Sequence, residues 1–274
     1  MILFLRQSFS TAAVFAAFAV VVSAQHGKPA QSGPAPSRPA AAAAKRTVHA
    51  VPFSTGETLT YDVSWASALT AGGATLSVKD QKPSYGSDAY YIVAEGRPTP
   101  LLSKLYDLYY KADTLLDIYS LLPQRASIYS EEGKRSRLKV TTFDQAARKA
   151  HYEVQTTTLV KKELAIPAYS QDGLAALYVL RALALKPGDK FSMPICDAGE
   201  TYTVQITVGG VETVKTGIGD VRAWKITPVV PGGKAGGATR LSLWLSDDPR
   251  RLPVRMQAQL AVGSFDLTFK SSNR

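Results

Sequence analysis

The chain has 274 residues, 45% hydrophobic and 20% charged, with a formal net charge of +10. A mean hydropathy of -0.05 with one long apolar run excludes a polytopic membrane protein. Ordinary Gly and Pro usage excludes a collagen-like or wholly disordered chain, and a single cysteine excludes an intramolecular disulfide framework or a Cys-cluster metal site.

The first 24 residues read as an address. Met1 to Gln7 carries one positive charge, Arg6, and Phe9 to Val22 is largely apolar. Val22-Ser23-Ala24 then places small or aliphatic residues where signal peptidase reads. This pattern is a secretory signal, with cleavage expected between Ala24 and Gln25. The apolar run is short for a spanning helix, so no membrane-spanning segment is expected after cleavage. No cysteine sits at the cleavage point, which excludes a lipid-anchored lipoprotein. Residues 25–50 are rich in Pro and Ala, with few large apolar side chains to offset the entropy of ordering them. A disordered tether is expected there, and a single sheet-rich domain over residues 51–274. The first 56 residues carry five bases and no acid, which leaves +5 for the rest. That is a mild bias and not a nucleic-acid footprint.

From Glu57 onward the hydrophobic period is two. Leu59, Tyr61, Val63 and Trp65 alternate with polar residues, as a half-buried strand requires. Gly72-Gly73 reads as a turn before Ala74, Leu76 and Val78. Strands follow from Asp88 to Ala94 and near 109–118, 123–130, 136–143 and 150–155. Their joints carry turn chemistry, Glu131-Glu132-Gly133-Lys134 and Asp144-Gln145-Ala146-Ala147. Tyr202, Val204, Ile206 and Val208 begin a second series, with Gly209-Gly210 and Gly217-Ile218-Gly219-Asp220 as hairpin turns. Strands near 221–228, 239–246, 254–262 and 264–270 complete it.

One segment breaks this period. Asp172 to Leu183 has apolar residues three and four apart, with Asp172 as a cap and Lys186-Pro187-Gly188-Asp189 as a stop. A shorter helix is expected within 101–108. Roughly a dozen antiparallel strands with one main helix predict a mainly β (α+β) fold. The expected form is a large curved antiparallel sheet or half-open barrel embracing the helix near 172–185, with Leu174, Leu177, Tyr178 and Leu180 buried.

Chemistry is sparse. His26 and His49 lie in or beside the tether, which leaves His151 in a strand where a solvent-facing role is expected. No nucleophile elbow, zinc-protease helix or phosphate loop occurs, so neither a cofactor nor a metal is expected. Asp113 and Asp117, four apart in one strand, are the best carboxylate pair for glycoside hydrolysis. In a regular strand their Cα atoms stand about 13 Å apart, beyond the ~5–9.5 Å range of glycosidase carboxyls. Asp247-Asp248-Pro249 is accounted for as a turn. Tyr106, Tyr109 and Tyr110 concentrate aromatic rings that can line a ligand cavity. Arg250, Arg251 and Arg255 near Trp244 can hold an anionic headgroup.

Three stretches carry a resemblance: Phe53 to Trp65, the helix Asp172 to Tyr178, and Leu243 to Arg255 with Val262-Gly263-Ser264 after it. Together they resemble a bacterial family of secreted proteins known as domain of unknown function 3108, over about residues 53–270. The resemblance implies an envelope-associated, sheet-rich domain without an assigned activity. The function expected from the residues is an exported, periplasmic or secreted, non-enzymatic binding module for a lipid or glycolipid. A carbohydrate hydrolase is the competing class. A structural component pairing with another envelope protein through a sheet edge is a third.

Overall fold

The structure is a computed structural model that describes residues 46–65, 69–104, 108–231, 240–260 and 263–273. The expected signal cleavage at Ala24 and Gln25, and most of the tether, lie outside the described residues.

Among the described residues, fourteen antiparallel strands form one sheet. Its first wing comprises β1 (Thr58–Trp65), β2 (Leu69–Ser84), β3 (Ser87–Pro98), β4 (Leu108–Asp117), β5 (Pro123–Glu132), β6 (Arg135–Asp144), β7 (Lys149–Gln155) and β8 (Leu159–Ala165). The chain then crosses through a helix and lays down β9 (Lys190–Asp197), β10 (Glu200–Thr216), β11 (Gly219–Val229), β12 (Arg240–Ser246), β13 (Pro253–Leu260) and β14 (Gly263–Ser272). The spatial order is β8-β7-β6-β5-β4-β3-β2-β1-β14-β13-β12-β11-β10-β9. First and last strands therefore meet in the middle, and the crossing joins the two edges.

Every hairpin alternates between the same two ends. One end, here the rim, holds the β1–β2, β3–β4, β5–β6, β7–β8, β9–β10, β11–β12 and β13–β14 connections. The other, the base, holds the remaining turns. The edges approach through side chains: Lys162 Nζ donates to the Gly199 carbonyl at 2.9 Å and Thr201 Oγ1 to that of Ala165 at 3.4 Å. The Tyr152 ring lies so close to Gly199, itself at φ +83°, that a Cβ there would stand 2.7 Å from it.

The helix α2 spans Gly173–Ala182. Asp172 caps it, accepting from the N–H groups of Leu174 and Ala175 at 2.9 and 3.0 Å. Every residue from Ala175 to Arg181 is buried, as expected for a helix enclosed on all sides. Its last turn seals the base. Arg181 makes a buried bidentate pair with Glu57 at 2.7 and 2.9 Å and donates to the carbonyls of Arg251 and Arg250 at 3.1 and 3.3 Å. Phe53 stacks edge-on against Tyr178 beside that pair.

Several expectations need correction. The helix is shorter than 172–185, and Leu174 is half-buried while Leu177, Tyr178 and Leu180 are buried. The helix expected within 101–108 is a single turn, α1 (Pro100–Ser103). Gly72-Gly73 lies inside β2, where a Cβ on Gly72 would stand 2.2 Å from the Arg97 carbonyl oxygen, so close strand approach and not a turn requires that glycine. Gly209-Gly210 sits at a register shift within β10 and is likewise no turn. The edge strands β8 and β9 have no counterpart in the sequence reading.

Candidate functional site

The helix fills the base half of the curved sheet. Between its N-terminus and the rim lies a cavity of about 110 Å³. Alternate positions of β4 and β5 supply Tyr110, Ala112 and Ile128 to one wall. The facing wall comes from Leu241, Leu243, Met256 and Leu267 on β12–β14, and the floor from Leu174 and Leu177. Three aspartates also border it, Asp113, Asp172 and Asp197, all buried.

Burial pushes the Asp172 carboxyl up to about 6, against hydrogen bonds from the Ala175 amide, the Thr114 hydroxyl and the Leu174 amide that favour its charge. Thr114 Oγ1 donates to Asp172 Oδ2 at 2.7 Å. Burial also raises Asp197, with Lys139 and the Ala198 amide acting in the opposite direction. The Tyr110 and Tyr202 hydroxyls are raised by burial first and by the Asp197 charge second. Burial thus disfavours the charged forms of Asp172 and Asp197, and most of the remaining lining residues are apolar. Such a lining suits an apolar guest.

Of the residues singled out in the sequence, the structure brings Tyr110 and Asp113 to the cavity. Tyr106 lies outside the described residues. Tyr109 alternates to the opposite face, donates to Glu95 at 2.6 Å and lies 4.1 Å beneath the Arg97 guanidinium. Trp244 also faces away, with Nε1 donating to Glu212 at 2.8 Å and Lys225 and Arg255 against its ring. Arg255 is held by Asp266 through both carboxylate oxygens. Arg250 and Arg251 lie in the β12–β13 turn at the base, where Arg250 donates to Ser272 Oγ and Arg251 stacks on Trp224. The three arginines do not converge on the cavity.

The carboxylate pair is already engaged by neighbouring groups. Asp113 accepts from Ser127 and pairs with Arg125 at 3.3 Å. Asp117 organises the β4–β5 turn, accepting from the amides of Tyr119 and Ser120. Burial raises the Asp117 carboxyl, but hydrogen bonds from Ser87, Ser120 and Tyr119 outweigh it, and the net direction is down. An acid catalyst needs the reverse. Asp248 closes its own turn by accepting from the Arg250 amide at 2.8 Å. His151 is exposed on β7, and Cys196 is buried among Ala126, Phe143, Ala150 and Tyr152. No cluster of three His, Cys, Asp or Glu suited to a metal ion occurs among the described residues.

Residues 60–270 match the model of a family described as "Protein of unknown function (DUF3108)". The chain belongs to this family. No curated protein matches it. Among solved structures, a β-barrel-like protein of the domain of unknown function DUF1849 from Brucella abortus is similar with a TM-score of 0.52 at 12% identity, over 79% of this chain and 96% of that one. That likeness concerns the fold alone. A protein with a YmcC-like fold from Bacteroides fragilis matches at a TM-score of 0.31 and 11% identity, over 83% of this chain and 100% of that one. This weaker likeness has no bearing on function. For the DUF3108 chain, the residues that sequence reasoning missed are Asp172 in its second role, Asp197 and Tyr202. Asp172 reads in sequence as a helix cap, and nothing in the sequence reading singles out Asp197. Only the crossing of the sheet brings them together.

Proposed function

We propose that this DUF3108 protein is an exported envelope module that binds an amphipathic ligand without catalysis. The curved sheet and α2 form a cup closed at its base, and the ligand's apolar part enters from the rim. The observation that supports this reading is the apolar cavity over the N-terminus of α2. Its volume of about 110 Å³ approaches the ~150 Å³ of apolar cavities that accept a benzene-sized guest. It therefore takes a segment of an acyl chain and leaves the headgroup outside. Export is supported by the leader ending at Ala24. Binding is favoured over carbohydrate hydrolysis because Asp113, which borders the cavity, is held by Ser127 and Arg125, Asp117 is taken up by the β4–β5 turn, and Asp172 spends its oxygens on α2 and Thr114.

The test is to extract the purified protein for co-purifying lipid and to titrate it with 11-(dansylamino)undecanoic acid. Ala112→Phe, which projects a ring into the cavity, is expected to weaken probe binding at least tenfold with an unchanged near-UV spectrum. Absence of both co-purifying lipid and probe binding in the unaltered protein would sink the reading.

A further inference from the structure

Strand β6 turns its charges toward the inside of the cup. Its residues alternate between the two faces of the sheet, and Thr141 and Phe143 are buried, with Phe143 packed against Ala126 and Tyr152 on the inner face. Arg137 and Lys139 continue that alternation toward the rim, while Leu138 and Val140 take the outer face. This is the reverse of β1, where Leu59, Tyr61 and Val63 face inward and Asp62 faces water. The register fixes what surrounds the two cations. Lys139 stands opposite Ile128 of β5, and Ile128 opposite Ala112 of β4. Arg137 stands opposite Ser130, and Ser130 opposite Tyr110. Directly opposite residues project from the same face, and Tyr110, Ala112 and Ile128 line the cavity. Two adjacent rows of the cavity wall therefore end in a cation.

Their electrostatic reach agrees with this placement. The Lys139 charge acts on Asp197, which borders the cavity, and the Arg137 charge acts on Tyr152, buried on the inner face of β7. Neither cation is in an ion pair among the described residues. The acids nearby are otherwise occupied. Glu132 stands opposite Arg135, one row closer to the rim, and Glu131 accepts from Tyr129 on the outer face. Of the carboxyls around the cavity, Asp113 is held by Ser127 and Arg125, Asp172 by the α2 amides and Thr114, and burial disfavours the charged form of Asp197. Thr114, which fixes Asp172, lies four residues along β4 from Tyr110, so the Arg137 row stands about 13 Å rimward of the Thr114 row. The wall is thus polarised. Apolar residues and α2 lie toward the base, and two cations lie at the mouth, with Lys139 half-buried and Arg137 exposed.

We infer that Arg137 and Lys139 hold the anionic headgroup, a carboxylate or a phosphate, of an amphiphile whose acyl chain occupies the cavity. The guanidinium offers a planar fork to two oxygens of the headgroup, and the ammonium adds a point charge one row deeper. A neutral amphiphile gains only the apolar contacts, and a cationic one is repelled at the mouth. This inference rests on the binding reading above and names the class of ligand for that same cavity.

The test is calorimetric titration of the exported protein with three probes of one chain length: decanoate, decyl phosphate and decan-1-ol. At least one of the two anions is expected to bind tenfold or more tightly than the alcohol, and the tighter of them separates a carboxylate headgroup from a phosphate one. Arg137→Gln/Lys139→Gln is expected to bring that anion to within twofold of the alcohol, with the alcohol's own affinity and the melting temperature unchanged. Arg137→Lys/Lys139→Arg, which keeps both charges, is expected to retain the preference. The control is Lys149→Gln/Lys161→Gln, which removes the same net charge from the outer face of β7 and β8, where these lysines pair with Glu163 and Glu153. It is expected to leave all three affinities unaltered. Equal binding of the alcohol and both anions overturns the inference and leaves the cavity reading standing, whereas failure of all three probes removes both. An anion preference that survives Arg137→Gln/Lys139→Gln, or one lost equally in the outer-face control, overturns the inference as well.

Discussion

Replacing Asp172 with Asn separates the two roles of this carboxyl. As a cap, Asn is equivalent to Asp, since its side-chain oxygen accepts the same amides of Leu174 and Ala175. As a titrating group it is silent. Burial moves the Asp172 carboxyl from 3.8 to about 6, and at 1.36 kcal/mol per unit this corresponds to about 3 kcal/mol. The sign follows from the direction of the shift. Below 3.8 the group is protonated in both folded and unfolded chains, and it contributes no penalty. Between 3.8 and about 6 the unfolded chain ionises first, so stability falls as pH rises. Above about 6 the full penalty persists. Asp172→Asn is therefore expected to match the unaltered protein at pH 4 and to exceed it by up to about 3 kcal/mol at pH 7.5. Urea unfolding at half-unit steps from pH 4 to 8 measures the difference. Asp197 shifts in the same direction and its charge is among the causes that raise Asp172, so part of the measured difference is the relief of repulsion between the two carboxylates. A variant destabilised equally at pH 4 and pH 7.5 would refute the reasoning, because the carboxyl would then matter through its hydrogen bonds and not its charge.

Other predictions concern the base, the seam and the leader. Glu57→Leu leaves Arg181 buried without its partner and is expected to cost about 3–5 kcal/mol in urea unfolding, most of it recovered in Glu57→Leu/Arg181→Met. Gly199→Ala meets both a positive φ and the Tyr152 ring, and a loss of roughly 1–3 kcal/mol is expected from thermal melts. Mass spectrometry of the exported chain is expected to show an N-terminus at Gln25, and a product beginning at Met1 would refute the leader reading.

Strands whose two faces differ were legible in the sequence, and strands whose faces do not differ were missed. β1 alternates because Leu59, Tyr61 and Val63 face the core while Asp62 faces water. β8 has no such contrast. Within Leu159–Ala165 all but Leu164 are exposed, so an edge strand held mainly by its backbone leaves almost no periodic signal. β9 carries Pro194, which argues against a central strand and in fact marks an edge. The candidate site was less legible, for a similar reason. Tyr110 reaches the cavity and Tyr109 does not because they are neighbours in one strand and must point to opposite faces. Composition identifies such a cluster, but only the register decides which member faces inward. The arginines near Trp244 are close in sequence because a hairpin runs through them, yet Arg255 projects from mid-strand and Arg250 from the turn.

The missed edges also determine how the sheet closes. A fourteen-strand twisted sheet curls, and its edges must either pair or be blocked. Pairing is blocked on the β9 side: Pro194 has no N–H, its carbonyl accepts from the Gln171 amide at 2.9 Å, and the Cys196 amide donates to the Gln171 carbonyl at 2.8 Å. The connection that delivers α2 thus occupies the edge to which β8 would add. What joins β8 to β10 is Lys162 to the Gly199 carbonyl and Thr201 to that of Ala165, worth about 1 kcal/mol each in net terms. The seam has no strand ladder, but a buried cluster crosses it, in which Cys196 of β9 packs with Ala150, Tyr152 and Leu164 of β7 and β8. Because Asp197 lies beside that seam and borders the cavity, this joint adjoins the space proposed to receive the ligand. The base is held separately, by the buried bidentate pair of Arg181 and Glu57.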